Sequence, residues 1–124
     1  MIEQRPPTIF CDIDGTLVKH QGYPAIEKIP TSSHKLELLP GTLKKLWEWD
    51  SKGYKIILTT GRKEGLRKST EKQLAAAGII YDQLIMGIGG GKRYLVNDRK
   101  PNSSEDYAHA LNLDRNIGIE NLEI

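Results

Sequence analysis

The sequence predicts an α/β domain with a central, mainly parallel five-stranded sheet. Short β-rich runs alternate along the chain with helical segments, the order expected of strands joined by crossover helices. Three of those runs end in polar loops: Asp12 and Asp14 after the first, Thr60 after the second and Asp98 after the fourth. With 124 residues there is room for one hydrophobic core and not for two, so residues 1–124 are expected to form a single domain.

The first strand is Thr8 to Cys11, an apolar run after Pro6-Pro7 that leads into Asp12-Ile13-Asp14-Gly15-Thr16. Its lack of polar alternation predicts a strand covered on both faces. Residues 19–40, broken by Gly22, Pro24, Pro30 and Pro40, read as an ordered flap or a small hairpin. Gly41 to Lys52 is a helix with Leu43, Leu46 and Trp47 facing inward and Gly53 as its stop; Trp49 falls off that stripe, available to an oligomer interface. Tyr54 to Thr59 is the second strand and ends in Thr60-Gly61-Arg62. A second helix follows from about Glu64 to Ala77, with Leu66, Thr70, Leu74 and Ala77 on one face and Gly78 at its end. Asp82 to Met86 is the third strand, Gly87 to Lys92 a glycine loop, and Arg93 to Asn97 the fourth strand. Ser103 to Leu113 is a third helix, N-capped by Ser103 or Ser104, and Asn116 to Ile119 a last short strand.

Composition narrows the function classes. Apolar residues make up 38% and charged residues 27%, which places the chain among ordinary globular proteins and not among disordered or fibrous ones. The single cysteine, Cys11, excludes an internal disulfide framework and a cysteine-built zinc site. No run approaches the roughly 18 apolar residues of a spanning helix, and residues 1–7 carry no signal-peptide core, so a cytoplasmic protein without a membrane partner is expected. Eighteen Lys and Arg against 16 Asp and Glu give a formal charge of +2, and aromatics are 6%. Without a basic face or an aromatic platform, nucleic acid is not expected as a partner.

The strand ends carry the chemistry, since ligands of open α/β sheets bind beyond the carboxyl ends of the strands. Asp12 and Asp14 can both face one loop-lined site if Ile13 turns back to the core, and Gly15 permits the tight turn. Asp-Gly turns are also common plain loop formers; the recurrence of polar motifs after two later strands favours a site. Asp98 would add a third carboxylate, and Mg²⁺ is the cation suited to offset such a cluster. Thr60 can bind a phosphoryl oxygen, and Lys92 or Arg93 can neutralise developing charge. The glycines before Lys92 do not make a P-loop, because no Ser or Thr follows and no helix begins there.

These residues resemble the haloacid dehalogenase (HAD) superfamily of phosphotransferases, and more narrowly its short capless phosphatase-like members. DIDGT at 12–16, TTGR at 59–62, the basic pair Lys92-Arg93 and NDR at 97–99 carry the resemblance, each after a predicted strand or loop in the right order. It implies a three-layer, Rossmann-like domain without a large cap. It implies Asp12 as nucleophile and metal ligand, Asp14 as general acid and base with its carbonyl on the metal, Thr60 on the phosphoryl group with Thr59 as competitor, and Asp98 as acidic metal ligand. Lys92 and Arg93 are alternatives for the basic role, both closer to Asp98 than the family pattern has it. Gly61 and Arg62 are candidate substrate contacts, Arg62 equally a support of its loop, while His20 and His34 could reach substrate from the flap but read first as solvated or hydrogen-bonded loop residues. Cys11 is expected in the core and His109 on an outer helix face.

The activity implied is Mg²⁺-dependent hydrolysis of a phosphate monoester through an aspartyl-phosphate. The substrate expected first is a phosphorylated small molecule such as a sugar phosphate, with closure by a homo-oligomer as one option. The alternatives are a nucleotide or polynucleotide-end phosphatase, and a non-catalytic phosphate-binding or regulatory protein.

Overall fold

A computed structural model describes residues 5–20 and 35–124. It has an α/β fold with a small parallel sheet. Strands β1 (Thr8–Asp12), β2 (Lys55–Thr59) and β3 (Gln83–Ile85) lie in the order β1-β2-β3, connected by helix α1 (Thr42–Ser51) and helix α2 (Arg67–Ala76), the latter entered through a 3₁₀ turn at Glu64–Leu66. Asp12 stands opposite Thr59 and Leu58 opposite Leu84. Parallel pairing in this register brings the loops after β1 and β2 out at one edge of the sheet, which is where the acidic motif and Thr60-Gly61-Arg62 meet.

The alternation along the strands is strict. Ile9, Cys11, Ile56, Leu58 and Leu84 point into a core shared with Leu46 and Trp49 of α1 and Leu74 of α2. On the opposite face Phe10 and Ile85 are exposed and Ile57 is half-buried. The strand expected to be covered on both faces is therefore covered on one, and the described residues form two layers where three were expected.

Two strands and a helix read from the sequence do not form. Residues 86–124 contain neither helix nor strand, so the described sheet has three strands, not five. Tyr94, Leu95 and Val96 are 84%, 61% and 92% exposed; with nothing to pack against, their β propensity has no burial to convert into stability. Tyr107 and Leu111 would line one side of the expected helix, yet both are exposed, and a helix shorter than about 12–15 residues is marginal in water without tertiary packing. Around Asn116 to Ile119 the chain turns, because Asn116 and Gly118 have φ of 67° and 90°, incompatible with an extended strand.

The helices themselves form within three residues of the expected bounds. Both are followed by a left-handed glycine, Gly53 and Gly78, as expected. The inner face of α1 is rotated from the expected one: Thr42, Lys45, Leu46 and Trp49 are buried, a spacing of three and four residues, while Trp47 is exposed. Trp49 thus belongs to the core and is no interface residue. Lys45 buries its stem on this face and sends its ammonium toward Glu48 and Glu123, each 3.8 Å away.

The ends of the expected flap are tied together. Val18 bridges Leu38 in antiparallel fashion, the Lys19 N–H donates to the Glu37 carbonyl at 2.8 Å and the Leu39 N–H to the Leu17 carbonyl at 2.9 Å. Residues 21–34 of the expected flap, with His34, lie outside the described residues. No described helix is long and apolar enough to cross a membrane.

Candidate active site

Ile13 is the pivot of the site. It is fully buried, its N–H donates to the Thr59 carbonyl at 3.1 Å, and its own carbonyl accepts from the N–H groups of Thr16, Leu17 and Val18 at 3.2, 2.9 and 3.1 Å. This knot turns the chain back on itself directly after β1. Gly15, at φ 91°, adopts a conformation that costs an L side chain steric energy, and its N–H closes the loop on the Val18 carbonyl at 2.7 Å. Asp12 and Asp14 consequently share the polar side while Ile13 faces the core. Both line an open cleft of about 280 Å³ together with Gly15, Thr16, Leu113 and Arg115.

The two carboxylates are held differently. Asp14 is gripped by Arg62, whose Nε lies 3.1 Å from Oδ2 and Nη2 2.9 Å from Oδ1, a fork-to-fork pair. The Thr60 hydroxyl adds a hydrogen bond to Asp14 Oδ2 at 3.2 Å. Arg62 is itself fixed from behind, with Nη1 donating to Gln73 Oε1 at 2.8 Å and to the Thr70 hydroxyl at 3.3 Å, and its N–H to Thr60 Oγ1 at 3.1 Å. Asp12, in contrast, accepts one long side-chain bond, from the Thr16 hydroxyl at 3.5 Å.

Burial pushes the Asp12 carboxyl above its ordinary value; the charge of Arg93 opposes that, and the charge of Asp14 adds to it. Burial, reinforced by the Asp12 charge, also pushes the neighbouring Cys11 thiol up to about 12, so at neutral pH it is a packed thiol and not a nucleophile.

The remaining sequence candidates are spread out. Thr60 is fully buried against Asp14, whereas Thr59 lies on the open side of β2 and contributes its carbonyl to Ile13. A Cβ at Gly61 would stand 3.1 Å from the Ile88 carbonyl, so that position is a close backbone approach. Arg93 acts on Asp12 through its charge, while Lys92 is exposed and, among the described residues, pairs with neither carboxylate. The His20 N–H donates to Asn116 Oδ1 at 2.8 Å, beside the cleft. His109 is exposed, as expected.

Asp98 stands apart. It pairs with Lys100 at 3.1 Å in a separate cleft of about 450 Å³ with Asn97, Arg99, Asp106, Tyr107 and Ala108. Asn97 donates to the Asp98 backbone carbonyl at 3.2 Å. Among the described residues no three acidic, histidine or cysteine side chains cluster to hold a metal. The donors at Asp12 nevertheless fit Mg²⁺ in kind, because the cleft offers hard oxygen ligands with no His or Cys, and Mg²⁺ commonly keeps several waters and takes only one or two carboxylates.

Two contributors escaped the sequence. Gln73 and Thr70, one helical turn apart on α2, form the seat of Arg62; Thr70 was legible as inward-facing, Gln73 was not. Arg115 reaches the cleft from a loop distant in sequence from every motif, and no spacing rule points to it.

Among curated proteins nothing matches the chain. Among solved structures, a Pnkp1/Rnl/Hen1 complex contains a chain 31% identical to this one over 72% of its length, with a TM-score of 0.56. A second structure, described as the Pnkp1/Rnl/Hen1 RNA repair complex, matches at 28% identity over 82% with a TM-score of 0.53. The present chain spans 30% and 28% of those two chains. A structural-genomics target from Vibrio cholerae shares the fold, at 15% identity and a TM-score of 0.51, with 73% of this chain and 78% of that one covered. The RNA repair complex overturns the expectation that nucleic acid has no place among the partners and a sugar phosphate the first place. Charge balance and aromatic content carried no sign of this likeness. The family profile of the HAD superfamily, subfamily IIIB (acid phosphatase), matches residues 1–118, and the chain belongs to that family.

Proposed function

We propose that this HAD-superfamily hydrolase domain removes the phosphate monoester from an RNA end, with Asp12 as nucleophile. The observation that carries the proposal is the unequal treatment of the two carboxylates: Asp14 has both oxygens occupied by Arg62, while Asp12 faces an open cleft with a single long side-chain hydrogen bond. The likeness to chains of the Pnkp1/Rnl/Hen1 complex, 31% and 28% identical, the second described as an RNA repair complex, supports RNA as the substrate class.

An oxygen of Asp12 attacks phosphorus, an acyl phosphate bond forms, and the bond from phosphorus to the ribose oxygen breaks. Asp14 supplies the proton that the leaving hydroxyl needs. Water then attacks the phosphorus of the aspartyl phosphate, gives its proton to Asp14, and releases Asp12 and inorganic phosphate. Arg62 and Thr60 keep Asp14 aimed at the cleft during both proton transfers. Subfamily IIIB acid phosphatases depend on Mg²⁺; held at Asp12, the ion would neutralise phosphoryl charge, while Asp98, the further ligand expected from the sequence, lies in a separate cleft. Arg93 contributes positive charge on the same side of Asp12.

The substrate class is tested by comparing kcat/KM for RNA oligonucleotides phosphorylated at the 5′ or the 3′ end, mononucleotides, sugar phosphates and p-nitrophenyl phosphate. One of the RNA ends is expected to lead by at least tenfold. A sugar phosphate or mononucleotide in the lead overturns the proposal.

A further inference from the structure

The cleft contains one cationic side chain that no motif assigns. Arg115 lines it together with Asp12 and Asp14, and among the described residues its guanidinium has neither a hydrogen bond nor an ion pair. Arg62 is fully engaged by Asp14, Thr70 and Gln73 and has little left to offer a ligand, and Arg93 acts on Asp12 through its charge without lining the cleft.

Arg115 is seated where it is. The Asn116 N–H donates to the Gly15 carbonyl at 2.8 Å, Asn116 Oδ1 accepts the His20 N–H at 2.8 Å, and the Ile119 N–H donates to the Pro40 carbonyl at 3.0 Å. Asn116 holds φ at 67°, a left-handed conformation that Asn tolerates better than most residues. The stem of Arg115 then crosses Gly15 so closely that a Cβ there would stand 3.3 Å from its Cγ. A loop anchored at three points thus brings the Arg115 side chain, without a hydrogen bond or ion pair among the described residues, to the wall of the Asp12 cleft.

A phosphate monoester carries close to two negative charges and has to approach a carboxylate. Guanidinium meets phosphate in a planar, two-pronged contact, and such charge-assisted bonds are the strong ones. We infer that Arg115 is the residue that captures the terminal phosphate of the substrate and holds it against Asp12. This rests on the phosphatase reading above for the identity of the bound group, but its test does not need turnover.

The test is equilibrium binding of a short RNA, with and without a terminal phosphate, to Asp12→Asn protein carrying Arg115, Arg115→Ala or Arg115→Lys. The exposed position of Arg115 leaves the core untouched, and circular dichroism checks that each variant is folded. Arg115→Ala is expected to weaken binding of the phosphorylated RNA by about 10- to 100-fold, with Arg115→Lys in between and the unphosphorylated RNA indifferent to all three. Unchanged binding in Arg115→Ala overturns the assignment. So does an equal loss for phosphorylated and unphosphorylated RNA, which would make Arg115 a general backbone contact, and so does the absence of any preference for the phosphate in the Arg115 protein. Phosphate-dependent binding through Arg115 in a protein whose wild type releases no phosphate would instead refute the hydrolase reading and leave the capture role standing.

Discussion

The guanidinium of Arg62 holds both oxygens of Asp14, at 3.1 and 2.9 Å, across 48 residues of sequence. The pair joins the loop after β1 to the loop after β2 and fixes the direction of the proposed acid and base. Arg62 is nearly buried at its side chain, 11% exposed, whereas Asp14 is 31% exposed, so water screens the pair on one side only.

Removing Arg62 takes the fork from Asp14 and one hydrogen bond each from Thr70 and Gln73. Arg62→Ala is expected to destabilise the fold by about 2–3 kcal/mol, read from the midpoint of urea denaturation. Arg62→Lys keeps the charge and loses the fork, so it should recover much of the stability and little of kcat. Equal kcat in Arg62→Lys and wild type would show that aiming Asp14 does not limit the reaction.

Cys11 provides a test of burial that is independent of activity. Its thiol is pushed from 9.0 to about 12, so reaction with a disulfide reagent at pH 8 should be slow in the native protein and fast in urea. The linkage follows the same sign: above about pH 9 the unfolded chain loses the thiol proton that the native state keeps, so stability falls as pH rises from about 9 toward 12. Cys11→Ala should flatten that decline. Rapid native labelling at pH 8 would contradict the packing of β1.

The legible part of the fold was the part whose side chains pack. β1, β2, β3 and both helices are amphipathic elements with turn residues at their ends, and local pattern is enough to find them. The face of α1 was misjudged because Trp47 and Trp49 compete for the same core, and only the position of the sheet chooses Trp49. Arg93 to Asn97 reads as a strand by residue type, but a strand exists only where a partner accepts its hydrogen bonds. At the site, Asp12, Asp14 and Thr60 were legible because a spacing of one or two residues at a strand end fixes them. Arg62 was seen as substrate contact or loop support, and its seat on Gln73 gives it the second role. Arg115 was hidden, since a loop held by backbone hydrogen bonds to Gly15 and Pro40 leaves no periodic trace.

The two tryptophans separate core from surface directly. Trp49 is 1% exposed and Trp47 57%, so Trp49→Ala should cost about 3–5 kcal/mol and Trp47→Ala no more than about 0.5 kcal/mol in a denaturation series. The reverse order would place the other face of α1 against the sheet.

Asp12 is held in the fold at a cost. Because burial raises its carboxyl, the ionised form is less favoured in the native state than in the unfolded chain, and stability falls as pH climbs from the unfolded value of 3.8 to the native one. Above both, that cost is fully present. In the presence of a chelator at pH 7, Asp12→Asn should therefore raise Tm, and with Mg²⁺ restored it should abolish turnover. A lowered Tm would mean that the carboxylate is favourably satisfied where it stands.

Phosphate release from end-phosphorylated RNA, measured with Mg²⁺ for wild type and Asp12→Asn purified in parallel, bears most directly on the assignment of this domain. Turnover in wild type that disappears in Asp12→Asn and on chelation is the expected result. Equal release by the two proteins, or none by folded wild type with Mg²⁺ present, would contradict Asp12 as the nucleophile of an RNA-end phosphatase.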